Sequence, residues 1–222
     1  MLQHIFMDVD WSEVNQAIID TLFMLSVSVF FSALIGIPLG IILYLTDKGR
    51  ILQNRIFYLV FSFLINLLRS IPFIILLIIM MPFTIMLVGT SLGAKGVIPP
   101  LIFGAFPFFT RLVENSLKEV DNGVLDMAKS YGATTWQIIR HILLPEVMPG
   151  IIASITVTAI TLVSYTAMAG TVGGGGLGDL AIRYGYQRFQ TNVMVLTVIL
   201  LVVLVQLIQF IGDRIVRHMR KK

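Results

Sequence analysis

Five runs of predominantly apolar residues, at about 17–45, 56–88, 97–117, 148–169 and 192–211, decide what this chain can fold into. A helix rises about 1.5 Å per residue and the hydrocarbon core of a bilayer is about 30 Å thick, so roughly 20 such residues make one span. The balance of the chain agrees. Hydrophobic residues are 57% of 222, charged residues 13%, and the mean hydropathy is +0.91, which excludes a domain with a fully solvated surface. The sequence predicts an all-α integral membrane protein, a single transmembrane domain over residues 1–222 with five helices. With no Cys there is no disulfide framework and no thiolate metal site.

The net charge of +4 does not describe a nucleic-acid binder, because the basic residues are scattered and crowd only at Arg214, Arg217, Arg220, Lys221 and Lys222. Their distribution predicts orientation. Only Asp8, Asp10 and Glu13 precede the first span, whereas Lys48, Arg50 and Arg55 follow it and Lys118, Lys129 and Arg140 precede the fourth. The N-terminus is expected outside and the C-terminus in the cytoplasm; Arg183 and Arg188 run against the bias. No basic segment precedes the first run, so no cleaved signal peptide is expected. The second run is too long for one perpendicular span, and Pro72 and Pro82 predict a kinked, tilted helix, with a span plus a re-entrant loop as the alternative. The third run is the weakest, because Pro99, Pro100 and Pro107 break it and Arg111 and Glu114 sit in its last turns.

Residues 118–147 interrupt the apolar pattern. Val124, Met127 or Ala128, and Tyr131 recur at helical spacing, and Gly132 ends that helix. Thr134 and Gln137 form a capping-box pattern, and Trp136, Ile139 and Ile142 or Leu143 give the second limb its own apolar face. Taken alone, this reads as an amphipathic helix-elbow-helix at the membrane surface. Asp126 reads as a charge favoured in the first turn of a helix.

Asp126-Met127-Ala128, Gly132 after three residues, Ile142 after nine more, then Leu144 and Pro145 resemble the cytoplasmic Glu-Ala-Ala loop of ABC importer permeases, with Asp126 for the usual Glu and Met127 for the first Ala. "NLLRSIPFIIL" at 66–76 and "TVGGGGLGDLAIRYGYQRFQTNVM" at 171–194 are similar to the methionine importer permeases, although permeases for quaternary amines share the glycine-rich stretch. The resemblance implies a type I importer permease fold in a bacterial inner or plasma membrane. It also implies a second copy of the chain, two ATP-binding subunits and an extracytoplasmic substrate-binding protein as partners. Asp126, Met127, Ala128, Gly132, Ile142, Leu144 and Pro145 would then couple the chain to the ATPase, and the solute would be methionine.

No phosphate loop is present, since Gly89 to Gly96 carries Lys95 out of frame and Gly173 to Gly176 has no Lys. No cofactor is expected on the chain, and ATP would be hydrolysed by the partner. A secondary transporter would need carboxylates or histidines inside its spans; Asp20 and Arg69 are the candidates and form no relay. A scaffold subunit would leave the loop motif unexplained. Arg69 lies about 20 Å into the second span, where a charge costs roughly 2.5–3.5 kcal/mol. Asn66, one turn away, can accept from it without neutralising it; pairing with carbonyls or a carboxylate across the bundle or the dimer interface is one expectation for it, and attraction of a substrate carboxylate the other. The fourth span carries Ser154, Thr156, Thr158, Thr161, Ser164 and Thr166, hydroxyls suited to close packing or to a polar route. Ser164, Tyr165 and Met168, with Arg69, are the expected route residues. The glycine run is expected to be a flexible or closely packed turn near the route, or an ordinary turn needing positive φ.

Overall fold

The structure is a computed structural model and describes residues 10–219. His4, Asp8, Arg220, Lys221 and Lys222 lie outside the described residues. Helices α1 (Trp11–Thr46), α2 (Arg55–Arg69), α3 (Phe73–Val88), α4 (Gly93–Lys118), α5 (Asn122–Ser130), α6 (Thr135–Ile138), α7 (Leu144–Ala169), α8 (Gly176–Leu180) and α9 (Thr191–Met219) account for most of it, with wider π-type turns at Ile139–Leu143 and Ala181–Tyr186. Four helical stretches are long and apolar enough to cross a membrane, and the bent pair α2 and α3 makes a fifth if taken as one span.

The bundle is organised around α1 and α4. On α1 the buried residues Val14, Ala17, Thr21, Met24, Ser28, Ser32, Gly36, Gly40 and Leu43 recur every three or four positions and form one face. Small residues let that face come close to α4. A Cβ on Gly36 would lie 2.5 Å from Phe109 Cδ1, and one on Gly40 would lie 2.7 Å from Val113 Cγ1. This is the packing expected where lipid gives no hydrophobic drive between helices and close contact must supply the attraction. Three buried clusters follow one another along α1: one around Tyr44, Phe109, Leu117 and Leu143, one around Met24, Leu101 and Leu162, and one around Val14, Leu177 and Val193.

Two expectations need correcting. The third span is not broken by its prolines. α4 runs unbroken from Gly93 to Lys118, and Pro99, Pro100 and Pro107 are all buried inside it. Helices within a membrane bundle tolerate proline because neighbours and local adjustment satisfy the freed carbonyls. The second run, in contrast, is not one kinked helix, for α2 and α3 meet at 103°. The break falls at Ser70–Pro72, where Ser70 caps α2 through Asn66 O, and Pro72 disfavours helix at Ile71 and offers no N–H of its own. Pro82 lies inside α3 without interrupting it. The halves have 15 and 16 residues, so neither alone reaches the roughly 20 that a span requires.

The exterior is apolar. Ile56 is 77% exposed, Phe63 65% and Met86 87%, as befits a protein whose solvent is lipid.

Candidate functional site

The interruption at 118–147 folds as a helix, a glycine elbow and a second helix. Asp121 caps α5, its Oδ1 accepting from Gly123 N at 2.7 Å. Leu125 and Ala128 face the bundle core, while Val124, Met127 and Tyr131 are 40%, 57% and 85% exposed. Gly132 ends the helix with φ +76°. Its N–H donates to Lys129 O at 2.9 Å, and Ala133 N–H donates to Ala128 O at 3.1 Å. That pair of bonds is a Schellman closure, which needs the left-handed conformation that costs a side chain about 1–2 kcal/mol. The capping box forms as expected: Thr134 Oγ1 accepts from Gln137 N, and Gln137 Oε1 accepts from Thr134 N at 2.8 Å. Trp136 projects outward, and Ile138 is buried. Val124, Met127, Tyr131 and Trp136 thus form an uncovered apolar surface on a polar loop.

Asp126 does not sit in a first turn. It lies past it, on the exposed side of α5, and pairs with Lys129 at 3.3 Å, while Asp121 serves the N-terminus. Ala128, Ile142 and Leu144 pack against the chain's own core cluster, and Pro145 is exposed within helix. Pro145, expected either to stop the second limb or to open the next helix, does the latter, lying in the first turn of α7 without ending the limb. Pro145 has no N–H for His141 O, and in the widened turn just before it Leu144 N–H reaches back to Ile139 O. The limb therefore continues into α7, giving one helical stretch over Thr135–Val172.

A charged network the sequence did not suggest lies beside this loop. Glu114, 1% exposed, accepts from Arg111 Nη1 at 2.5 Å, from Lys118 Nζ at 2.8 Å and from Tyr58 OH at 3.1 Å. Lys118 also reaches Asp47 Oδ2 at 2.9 Å, and Arg111 donates to Ser62 O at 2.9 Å and to Asn66 Oδ1 at 3.2 Å. The network ties the end of α1, the inner face of α2 and α4 together. Burial pushes the Asp47 carboxyl up, but the hydrogen bonds from Lys118 and from Lys48 N–H, with the charges of Lys118 and Arg50, outweigh it and hold the group below its ordinary value. The spacing of Arg111, Glu114 and Lys118 at i, i+3 and i+7 was the signal for it.

The expected partner of Arg69 is therefore taken. Asn66 serves Arg111, and Arg69 closes α2 with its guanidinium 5.8 Å from the Phe108 ring centroid. Among the described residues no carboxylate pairs with it. Of the six hydroxyls on α7, five donate to carbonyls of their own helix: Ser154, Thr156, Thr158, Thr161 and Thr166. Four of these, Thr161 apart, are buried and serve packing. Thr156 is one such case, since a Cβ on Gly212 would meet its Oγ1 at 2.1 Å. Ser164 is exposed, as is Met168 one turn on, and Tyr165 between them stacks on Phe73 at 4.3 Å. Arg69 belongs to α2, and among the described residues no hydrogen bond, ion pair or cation–π contact joins it to these three.

At the opposite end of α1 the glycine run is a closely packed turn. Gly173, Gly175 and Gly176 all have positive φ, and a Cβ on Gly174 would lie 2.7 Å from Val97 Cγ2. Leu177 N–H donates to Thr21 Oγ1 at 2.8 Å, and Gly93 N–H to Gly173 O at 2.9 Å. The run therefore wedges between α1 and α4. The two arginines that oppose the charge bias are partnered here: Arg183 pairs with Asp179 at 2.6 Å, and Arg188 lies 4.3 Å over Tyr184, whose hydroxyl donates to Glu13.

Comparison with known proteins converges on one group. The family described as "Binding-protein-dependent transport system inner membrane component" matches residues 36–222. A Vibrio cholerae protein called a probable D-methionine transport system permease is 49% identical over 198 residues, covering 89% of this chain and 88% of that protein. A Bacillus subtilis methionine import system permease is 45% identical over 222 residues and the full length of both. Among solved structures, a chain of the inward-facing MetNI methionine ABC transporter superposes with a TM-score of 0.92 at 48% identity, covering 94% of this chain and 97% of that one.

Proposed function

Because the chain belongs to the family of binding-protein-dependent transport system inner membrane components, we propose that it is the membrane-spanning permease of an ATP-driven importer that carries methionine into the cell. The observation that carries this reading is near full-length identity of 45–49% to permeases named for methionine, in a chain whose fold matches a methionine ABC transporter subunit.

The chain contributes no ATP chemistry in this reading. Hydrolysis belongs to two ATP-binding subunits, which dock on Val124, Met127, Tyr131 and Trp136, with Asp126 at the edge of the contact. Ala128, Gly132, Ile142, Leu144 and Pro145 hold that surface in shape. Two copies of the chain would enclose the route, and an extracytoplasmic binding protein would deliver the solute. Ser164 and Met168 face the route, with Tyr165 fixed beside them by Phe73, and Arg69 attracts the carboxylate of a zwitterionic amino acid. The loop at 118–147 lies in the cytoplasm, with the N-terminus outside; tags at the two ends should be reached from opposite faces of intact cells.

The test is uptake. Vesicles holding the chain, its ATP-binding subunits and its binding protein should accumulate labelled methionine only with ATP, and unlabelled methionine should compete far better than choline. Preferential competition by choline would move the assignment to quaternary amines.

A further inference from the structure

We propose that the cleft between the α1–α2 turn, the end of α4 and α5 binds the phosphate of an anionic phospholipid headgroup. The cleft encloses about 490 Å³, within the roughly 300–1,000 Å³ typical of ligand clefts. Four cations line it, and two of them are committed. Lys118 is held by Asp47 and Glu114, and Lys129 by Asp126. Lys48 and Arg50 have no carboxylate partner among the described residues. Arg50 is nevertheless fixed in place, donating to Asn122 Oδ1 and lying 4.4 Å over the Tyr44 ring. A positioned guanidinium with no ion pair among the described residues is suited to a phosphate, which accepts charge-assisted hydrogen bonds.

Tyr44 supplies a second, independent observation. It lines the cleft, is 1% exposed, and its buried hydroxyl has no hydrogen-bond partner among the described residues. A buried hydroxyl without a partner is destabilising, and an acceptor oxygen in the cleft would relieve that.

The surroundings select a lipid over a free anion. α1 is apolar on its outer face up to Ile42, and α2 resumes with Ile56 and Leu59, which are 77% and 55% exposed. The cleft therefore sits where the apolar belt gives way to polar chain, the level at which basic pockets between membrane helices hold anionic headgroups. Free phosphate would meet the same charges but gain nothing from the apolar walls. Asn122, Leu125, Asp126 and Lys129 of α5 also line the cleft, so the lipid would bear directly on the helix that carries the docking surface.

Native mass spectrometry decides the matter, using the full-length chain with its ATP-binding subunits released from vesicles of phosphatidylglycerol and phosphatidylcholine. The wild type should retain phosphatidylglycerol preferentially, and Lys48→Glu and Arg50→Ala should each weaken that retention about fivefold, leaving phosphatidylcholine unchanged. Lys48 makes no side-chain hydrogen bond or ion pair among the described residues, so its variant keeps the test readable if Arg50→Ala lowers yield. Unchanged phosphatidylglycerol retention in both variants overturns the site. Displacement of the lipid by millimolar inorganic phosphate overturns the lipid assignment in favour of a free anion. Loss of the ATP-binding subunits from Lys48→Glu with lipid retention intact would assign the cations to that partner and likewise overturn it.

Discussion

Arg111 and Glu114 face one another across a single turn of α4, with Nη1 and Oε2 2.5 Å apart and the carboxylate 1% exposed. Removing one member of a buried pair typically costs about 3–5 kcal/mol, and without Arg111 the half-exposed Lys118 is the one cation left paired to Glu114 among the described residues. Arg111→Ala should therefore sharply lower the yield of folded protein in the membrane, measured by detergent-resistant monodispersity. Glu114→Gln, which leaves a hydrogen-bonding group for Tyr58, should lower it less.

Arg69 should behave differently. Among the described residues its cation–π contact is with the Phe108 ring and it makes no ion pair, so Arg69→Ala is expected to leave the folded amount within about twofold of wild type, since exposed cation–π contacts contribute about 0.5–1 kcal/mol. Methionine uptake should fall, and Arg69→Lys should restore part of it. Equal loss of folded protein from Arg69→Ala and Arg111→Ala would return Arg69 to a structural role.

At the elbow, a Cβ on Gly132 would meet nothing within 4 Å in the chain. The constraint there is conformational, and Asp adopts the left-handed region more readily than most residues. Gly132→Asp should reach the membrane in normal amounts yet copurify with less ATP-binding subunit and show reduced transport. Normal transport by this variant would show that the elbow is not needed to hold the docking surface in shape.

The Asp47–Lys118 tie makes a pH prediction. The Asp47 pKa is depressed in the folded chain, so its contribution to stability is fully present above the unfolded value of about 4 and is lost as pH falls through the lower folded value. Asp47→Asn should lower the melting temperature at neutral pH. The difference from wild type should shrink below about pH 4, and a constant gap down to pH 3 would contradict the assignment.

The loop was legible because it is built from local signals. Thr134, Gln137 and Gly132 act on neighbours within five residues, and each does in the structure what its position predicts. The break at Ser70–Pro72 and the continuity of α4 through three prolines were not legible, because both depend on what packs alongside. Local rules treat Pro72 and Pro107 alike, whereas the buried α4 is held between α1 and α7 and α2 is nearly free of burial, with Ile65 alone buried along it. The route hydroxyls failed for a similar reason. Composition counts six on α7, but whether each points to its own carbonyl or outward is decided by face, and of Ser164 and its five neighbours only Ser164 is left with no carbonyl partner.

The unbroken stretch from Thr135 to Val172 has a mechanical meaning. Its 38 residues extend about 57 Å, nearly twice the hydrocarbon thickness. Near its middle, Gly150 touches α4 so closely that a Cβ there would lie 2.8 Å from Ser116 Oγ. Trp136 lies 14 residues to one side and Ser164 14 to the other, each about 21 Å away. Were the stretch to pivot at Gly150 as a rod, a displacement of Trp136 would reappear at Ser164 at nearly full size and in the opposite sense.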